Sequence, residues 1–152
     1  ILCEKLKTID VVTFKEKDEV FSSETYKNVN SDSMMELSDL ITADDYKFVK
    51  VKDEDFSTKL YNEIGVKGSI FANFKFQKMM MGGVAKNGKM GAVVILNIII
   101  VDQNGEIVFN KSYYGQSSET VGIVAGVYDI DQFVELFEPV IEGICDKFVS
   151  EF

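Results

Sequence analysis

Hydrophobic and polar positions alternate most cleanly between residues 66 and 78. Val66, Gly68, Ile70, Ala72, Phe74 and Phe76 fall on one side, Lys67, Ser69, Asn73, Lys75 and Gln77 on the other, with Phe71 the exception. A period of two predicts a strand with one dry face. Residues 90–101 break that pattern, being apolar on both sides except at Asn97. They predict a strand covered on both faces, or one whose outer face meets a partner. Asp102-Gln103-Asn104-Gly105 then supplies a hairpin turn, with Asn-Gly providing positive φ angles, and residues 106–115 return as the next strand. These three strands form an antiparallel meander. Two earlier segments read as strands as well: 7–14, with β-branched Ile9, Val11 and Val12, and 46–52, where Tyr46, Phe48 and Lys50 alternate with Lys47, Val49 and Val51.

Helical spacing marks three segments. Met34, Met35, Leu37, Leu40 and Ile41 fit a short helix. Phe56, Leu60, Tyr61 and Ile64 fit a second, with Gly65 where a helix C-terminus favours positive φ. Ile130, Phe133, Val134, Phe137, Ile141, Ile144, Cys145, Phe148 and Phe152 form the apolar stripe of a long C-terminal helix, and Asp129 is its candidate cap. Pro139 costs about 3 kcal/mol in a helix interior, so a kink is expected there. Residues 115–128 read as an irregular loop, and the polar stretch 15–33 as the one flexible segment. The expected architecture is a single α+β domain over residues 1–152, mainly antiparallel sheet, with helices on one face.

Charge narrows the function classes. The chain of 152 residues carries a net charge of −9, which disfavours nucleic acid. All sixteen cations are Lys; Arg and His are absent. Bidentate anion clamps, the commonest general base and the commonest metal ligand are therefore missing. We expect no catalytic residue, no metal and no cofactor. Cys3 and Cys145 read as small buried hydrophobes, and would bridge only if the first and last elements pack together. No apolar run approaches the roughly 18 residues of a membrane span.

Gly83-Val84-Ala85-Lys86-Asn87-Gly88-Lys89-Met90 comes within one residue of a phosphate-binding loop. Met90 lacks the hydroxyl that such a loop places on magnesium, and a strand follows where a helix is needed. The segment reads as a mobile glycine-rich connection between two strands. Asp44-Asp45 and Asp53-Glu54-Asp55 lack the frame of a calcium loop. Glu135, Glu138 and Glu142 lie on the wet face of the last helix, and Ser117, Ser118 and Thr120 have no His to activate them. Met79, Met80 and Met81 cannot all face inward from one strand, so they mark adaptable apolar surface.

Several of these stretches, taken together, resemble a known family. Val66-Lys67-Gly68-Ser69-Ile70 opens a strand, and a long apolar strand ends in Asp102-Gln103-Asn104-Gly105-Glu106-Ile107-Val108. Tyr113-Tyr114-Gly115-Gln116-Ser117-Ser118 then precedes a closing helix. This resembles the periplasmic domains of small bacterial envelope lipoproteins, of the curli-secretion and penicillin-binding-protein activator types. The family's first strand ends in an apolar-Pro-Phe step, where this chain has Val12-Thr13-Phe14. The resemblance implies a non-enzymatic protein of the periplasm or outer membrane, lipid-anchored upstream of Ile1, that binds another envelope protein or forms a homo-oligomer.

The expected docking patch is Phe71, Met79, Met80 and Met81 with the outer side chains Val93, Ile95 and Ile99. Lys78, Lys86 and Lys89, with Lys75, form its positive rim. An alternative is a carrier of a lipid-like ligand lined by Phe74, Phe76, Phe133 and Phe137. A third, remote reading is an acid-base enzyme using carboxylates and Lys.

Overall fold

The computed structural model describes residues 1–10, 12–29 and 55–152. Its elements run α1 (Leu2–Leu6), α2 (Lys17–Ser22), α3 (Glu24–Lys27), α4 (Phe56–Ile64), β1 (Gly68–Val84), β2 (Asn87–Asp102), β3 (Ile107–Gln116), β4 (Val121–Val124), α5 (Ile130–Glu135) and α6 (Phe137–Val149). The class is α+β, with a four-stranded antiparallel sheet built on the β1-β2-β3 meander. The chain groups into two compact units, one of residues 1–14, 72–97 and 111–152, the other of 15–71 and 98–110.

The first unit is organised around a close approach. A Cβ on Gly115 of β3 would sit 2.6 Å from Ile144 Cγ2 and 2.8 Å from Val140 Cγ1 of α6. Only glycine lets the helix lie this near the strand. Two residues upstream, Tyr113 meets Phe148 edge-on with centroids 5.8 Å apart, and Phe148 is the largest fully buried side chain. On β2, Ala92, Val94 and Leu96 have no exposure at all. Toward α5, Met90, Ala92, Val121, Ile123, Phe133 and Leu136 form one apolar cluster.

The closing helix is two helices. Asp129 caps α5, accepting from Gln132 N–H at 3.0 Å, as expected. The break falls at Leu136 rather than at Pro139, which makes Pro139 the third residue of α6. At that position its missing N–H has no intrahelical partner to lose, so the chain restarts the helix instead of bending through the ring. Ile130 and Val134, placed by periodicity on the buried stripe, are exposed.

The strand expected over 7–14 does not form among its described residues. Thr8 N and Oγ1 both donate to Lys5 O, and Ile9 N donates to Leu6 O, so local turn bonds displace extended pairing. Leu6 and Ile9 are buried instead, and Lys5 of α1 pairs with Asp146 of α6. The first and last elements thus meet, yet Cys3 is exposed, Cys145 is buried, and both are free. Burial pushes the Cys145 thiol pKa up.

In the second unit, part of the polar stretch 15–33 folds into α2 and α3. Ser23 Oγ accepts from Tyr26 N–H, and Phe21 stacks on Tyr26 at 4.5 Å. The Glu63 carboxylate of α4 accepts from Glu24 N–H at 2.6 Å and Thr25 N–H at 2.9 Å, fastening α3 to α4. α4 matches its expected span, ending at Gly65 with φ 71°. Phe56 of α4 meets Phe71 edge-on at 6.0 Å, and Thr58 Oγ1 donates to Gln103 O. In the 102–106 turn only Gly105 has positive φ, 85°. Asp102 takes over the work expected of Asn104, its Oδ1 accepting from Asn104 and Glu106 N–H. The Glu106 bond above all holds the Asp102 carboxyl below its usual pKa. The helix expected over 34–41 and the strand over 46–52 lie outside the described residues.

Two predictions follow from this packing. Gly115→Ala lowers stability by about 1–3 kcal/mol, as overpacking does, read by chemical denaturation. Bonds from Thr25 and Glu24 depress the Glu63 pKa in the folded state. Its stabilising contribution is therefore complete above the ordinary Glu value and disappears as pH falls through the depressed one. Wild type and Glu63→Gln then differ in stability at neutral pH and converge in acid, which denaturation at stepped pH values checks.

Candidate functional site

The segment around residues 83–90 is no loop. β1 runs on through the three methionines to Val84, a two-residue turn at Ala85-Lys86 follows, and β2 starts at Asn87. Gly83 takes a positive φ of 76° just before the turn, while Gly88 and Gly91 serve close strand packing. A Cβ on Gly88 would lie 2.4 Å from Gly82 O and 2.9 Å from Met80 Cε; one on Gly91 would lie 2.9 Å from Met81 Cγ and from Ser117 Oγ. Met80 and Met81 thus fill notches that the β2 glycines leave open, and Gln116 Nε2 donates to Met81 Sδ at 3.0 Å. They remain partly exposed, but part of their surface is already used.

Ser117 carries the next step. Its backbone N–H donates to Ala92 O, and its Oγ accepts from Ala92 N–H at 3.0 Å while donating to Glu119 O at 2.8 Å. One buried hydroxyl thereby replaces a rung of the ladder, and the chain resumes as β4, with Met90 opposite Val121 and Asn87 opposite Val124. The stretch expected to be irregular therefore contains a strand and a tight turn. Val124 and Val127 exchange backbone bonds around Ala125-Gly126, whose φ angles are 53° and 82°. Positive φ at both central residues defines a type I′ turn. Gly126 N–H donates to Lys86 O, and Ala125 N–H to Asn87 Oδ1. The two turn tips are thus tied together.

This end of the first unit is apolar and open. Val84, Val124, Val127, Ile130 and Val134 are between 58% and 73% exposed. Val124 and Val127 flank one turn, Val84 adjoins the other, and Ile130 and Val134 lie one helical turn apart on α5. Lone surface aliphatics are ordinary; here Val84, Val124 and Val127 adjoin two turns that are bonded to each other, and Ile130 and Val134 are exposed on the helix that follows. A signal existed in the sequence. Val121-Gly122-Ile123-Val124 alternates with period two, but its outward positions are Gly and Val where a wet strand has polar residues.

The expected patch residues fall out as follows. In the first unit, Val93 is buried, Ile95 and Met79 are half-buried, and Met80, Met81, Lys78, Lys86 and Lys89 are exposed. Val93 offers no contact surface because β2 is covered on both faces over 90–94. Lys78 Nζ stands 5.9 Å over the Tyr128 ring. Phe71 and Ile99 belong to the second unit, both half-buried. Phe74, Phe76, Phe133 and Phe137 do come together. Phe74 stacks on Phe76 at 6.2 Å, Phe76 meets Phe137 at 5.4 Å, and Phe137 meets Phe133 at 5.2 Å. The four rings form a chain of pairwise contacts, with Phe133 buried and Phe76 exposed.

No group of three or more His, Cys, Asp or Glu able to hold a metal occurs among the described residues. Burial beside Glu151 pushes the Tyr113 phenol up to about 12, and its hydroxyl has no hydrogen bond of ordinary geometry. Lys111, bonded to Glu151, holds that carboxyl below its usual value.

Comparison with family models, with curated proteins and with solved structures returned no significant match.

The Ser117 linkage is testable. Ser117→Ala leaves Ala92 N–H buried without its acceptor and lowers stability by about 1–3 kcal/mol. Amide exchange at Ala92 and along β4 accelerates relative to β3.

Proposed function

We propose that this chain is a non-catalytic binding module that docks another protein through the valine-rich end of its first unit. The observation that supports this is the exposure of Val84, Val124 and Val127 at two turns tied together by backbone and Asn87 hydrogen bonds, with Ile130 and Val134 exposed on the helix that follows. Such turns hold an apolar surface rigid, so little ordering entropy is lost on contact. Met80 and Met81 border the β1–β2 end of this region, and Lys86 and Lys89 add positive charge. The resemblance to envelope lipoproteins supports a location in the bacterial periplasm or outer membrane, with lipid anchoring supplied upstream.

Desolvating Val124 and Val127 against a partner is worth about 3 kcal/mol together, or about 100-fold in affinity. A photocrosslinking residue at Ile130, introduced in the native cell, gives one dominant adduct. Val124→Asp with Val127→Asp abolishes it without lowering the melting temperature, since both positions are exposed. An adduct at twice the chain's mass identifies self-association as the form the docking takes. Absence of any discrete adduct, or lipid found bound to the purified protein by native mass spectrometry, overturns the reading. Fractionation of the same cells tests the location.

A further inference from the structure

Residues 65–101 contain five Lys and no Asp or Glu, so the remaining chain holds eleven Lys against 25 acidic residues. The cations are concentrated on the β1–β2 hairpin. Within the first unit, Lys75 and Lys78 lie on β1, Lys86 on the turn and Lys89 on β2. β1 is also the terminal strand of the sheet order, with β2 on one side and no strand on the other among the described residues. Over Ala72–Val84 every residue is exposed or half-exposed, Phe76 and Met80 prominently so. A strand edge with no partner strand among the described residues presents a row of backbone N–H and C=O groups for pairing.

We propose that the β1 edge accepts an extended acidic segment of a partner protein as an added strand. The inference rests on the binding-module reading and names the chemistry of the partner. Main-chain hydrogen bonds would supply affinity, and side chains of alternate residues the selectivity. Charge complementarity decides the occupant. A second copy pairing through its own β1 would lay one strand that carries Lys and no carboxylate against another of the same kind, and like charges across a strand pair are destabilising. The same lysines attract an acidic strand. They thus disfavour self-pairing and favour an acidic partner.

The test uses the purified chain and fluorescent peptides of alternating Glu and Val, with alternating Lys and Val as the control. Anisotropy shows binding of the acidic peptide, weakening as salt rises, and none of the basic one. N-methylation of alternate amides of the acidic peptide, which removes strand pairing but keeps every side chain and charge, weakens binding by about tenfold or more. Lys75→Glu with Lys78→Glu, two exposed changes, reverses the preference toward the basic peptide. Equal binding of the N-methylated peptide shows charge adsorption alone and overturns the proposal. So do absence of acidic-peptide binding, binding to anionic phosphatidylglycerol vesicles with none to peptide, and a dimer that K75E/K78E strengthens. The Val124→Asp, Val127→Asp variant keeps its peptide binding, so failure at the valine-rich end and failure at the β1 edge are told apart.

Discussion

The approach of α6 to β3 at Gly115 governs the first unit. Because nothing projects from that glycine, Val140 and Ile144 rest almost on the strand backbone. The helix axis is thereby brought low enough for Phe148 to be buried completely against Tyr113. Shifting the helix outward would uncover Phe148, Ile144 and Cys145 together, since all three share this stripe. The restart at Phe137 keeps thirteen residues of α6 regular where the contact is made.

From that seat the geometry propagates along β2. Its glycines at 88 and 91 admit the methionines of β1, and its Ala92 amide and carbonyl are both taken by Ser117. The two arrangements have one effect: they let neighbouring strands come close where β2 changes partner from β3 to β4. The aliphatic end of the unit is thus built on well-satisfied backbone, even though its side chains face water. Met80 and Met81, which stand out in the sequence, are exposed but partly engaged with β2, while the less conspicuous valines are more open.

What the sequence made legible follows a physical division. α4 with its Gly65 terminus, the Asp129 cap, the β1-β2-β3 meander and the α+β class rest on local chemistry and periodicity, and all are present. Periodicity failed where tertiary contact overrode it. Ile9 is β-branched but is buried beside Leu6 after a helical turn, and Ile130 and Val134 continue an apolar stripe past the point where the core ends. Glycines 83 and 88 looked like a loop because positive φ at a hairpin end, as at Gly83, and close approach between strands, as at Gly88, leave the same residue type behind. The Ser117 rung was illegible for another reason: a serine that replaces a backbone partner twenty-five positions away carries no local signature.

Ala125 has a consequence of its own. A side-chain-bearing residue in the left-handed region is disfavoured by about 1 kcal/mol, and most chains place Asn or Gly there. Here Ala125 is held at φ 53° by its bond to Asn87, with Gly126 secured to Lys86. The unfavourable angle is thus offset by two bonds from the neighbouring hairpin, and the placing of Val124 and Val127 depends on them. The surface they form is in this sense conditional, present only while the neighbouring hairpin keeps its shape.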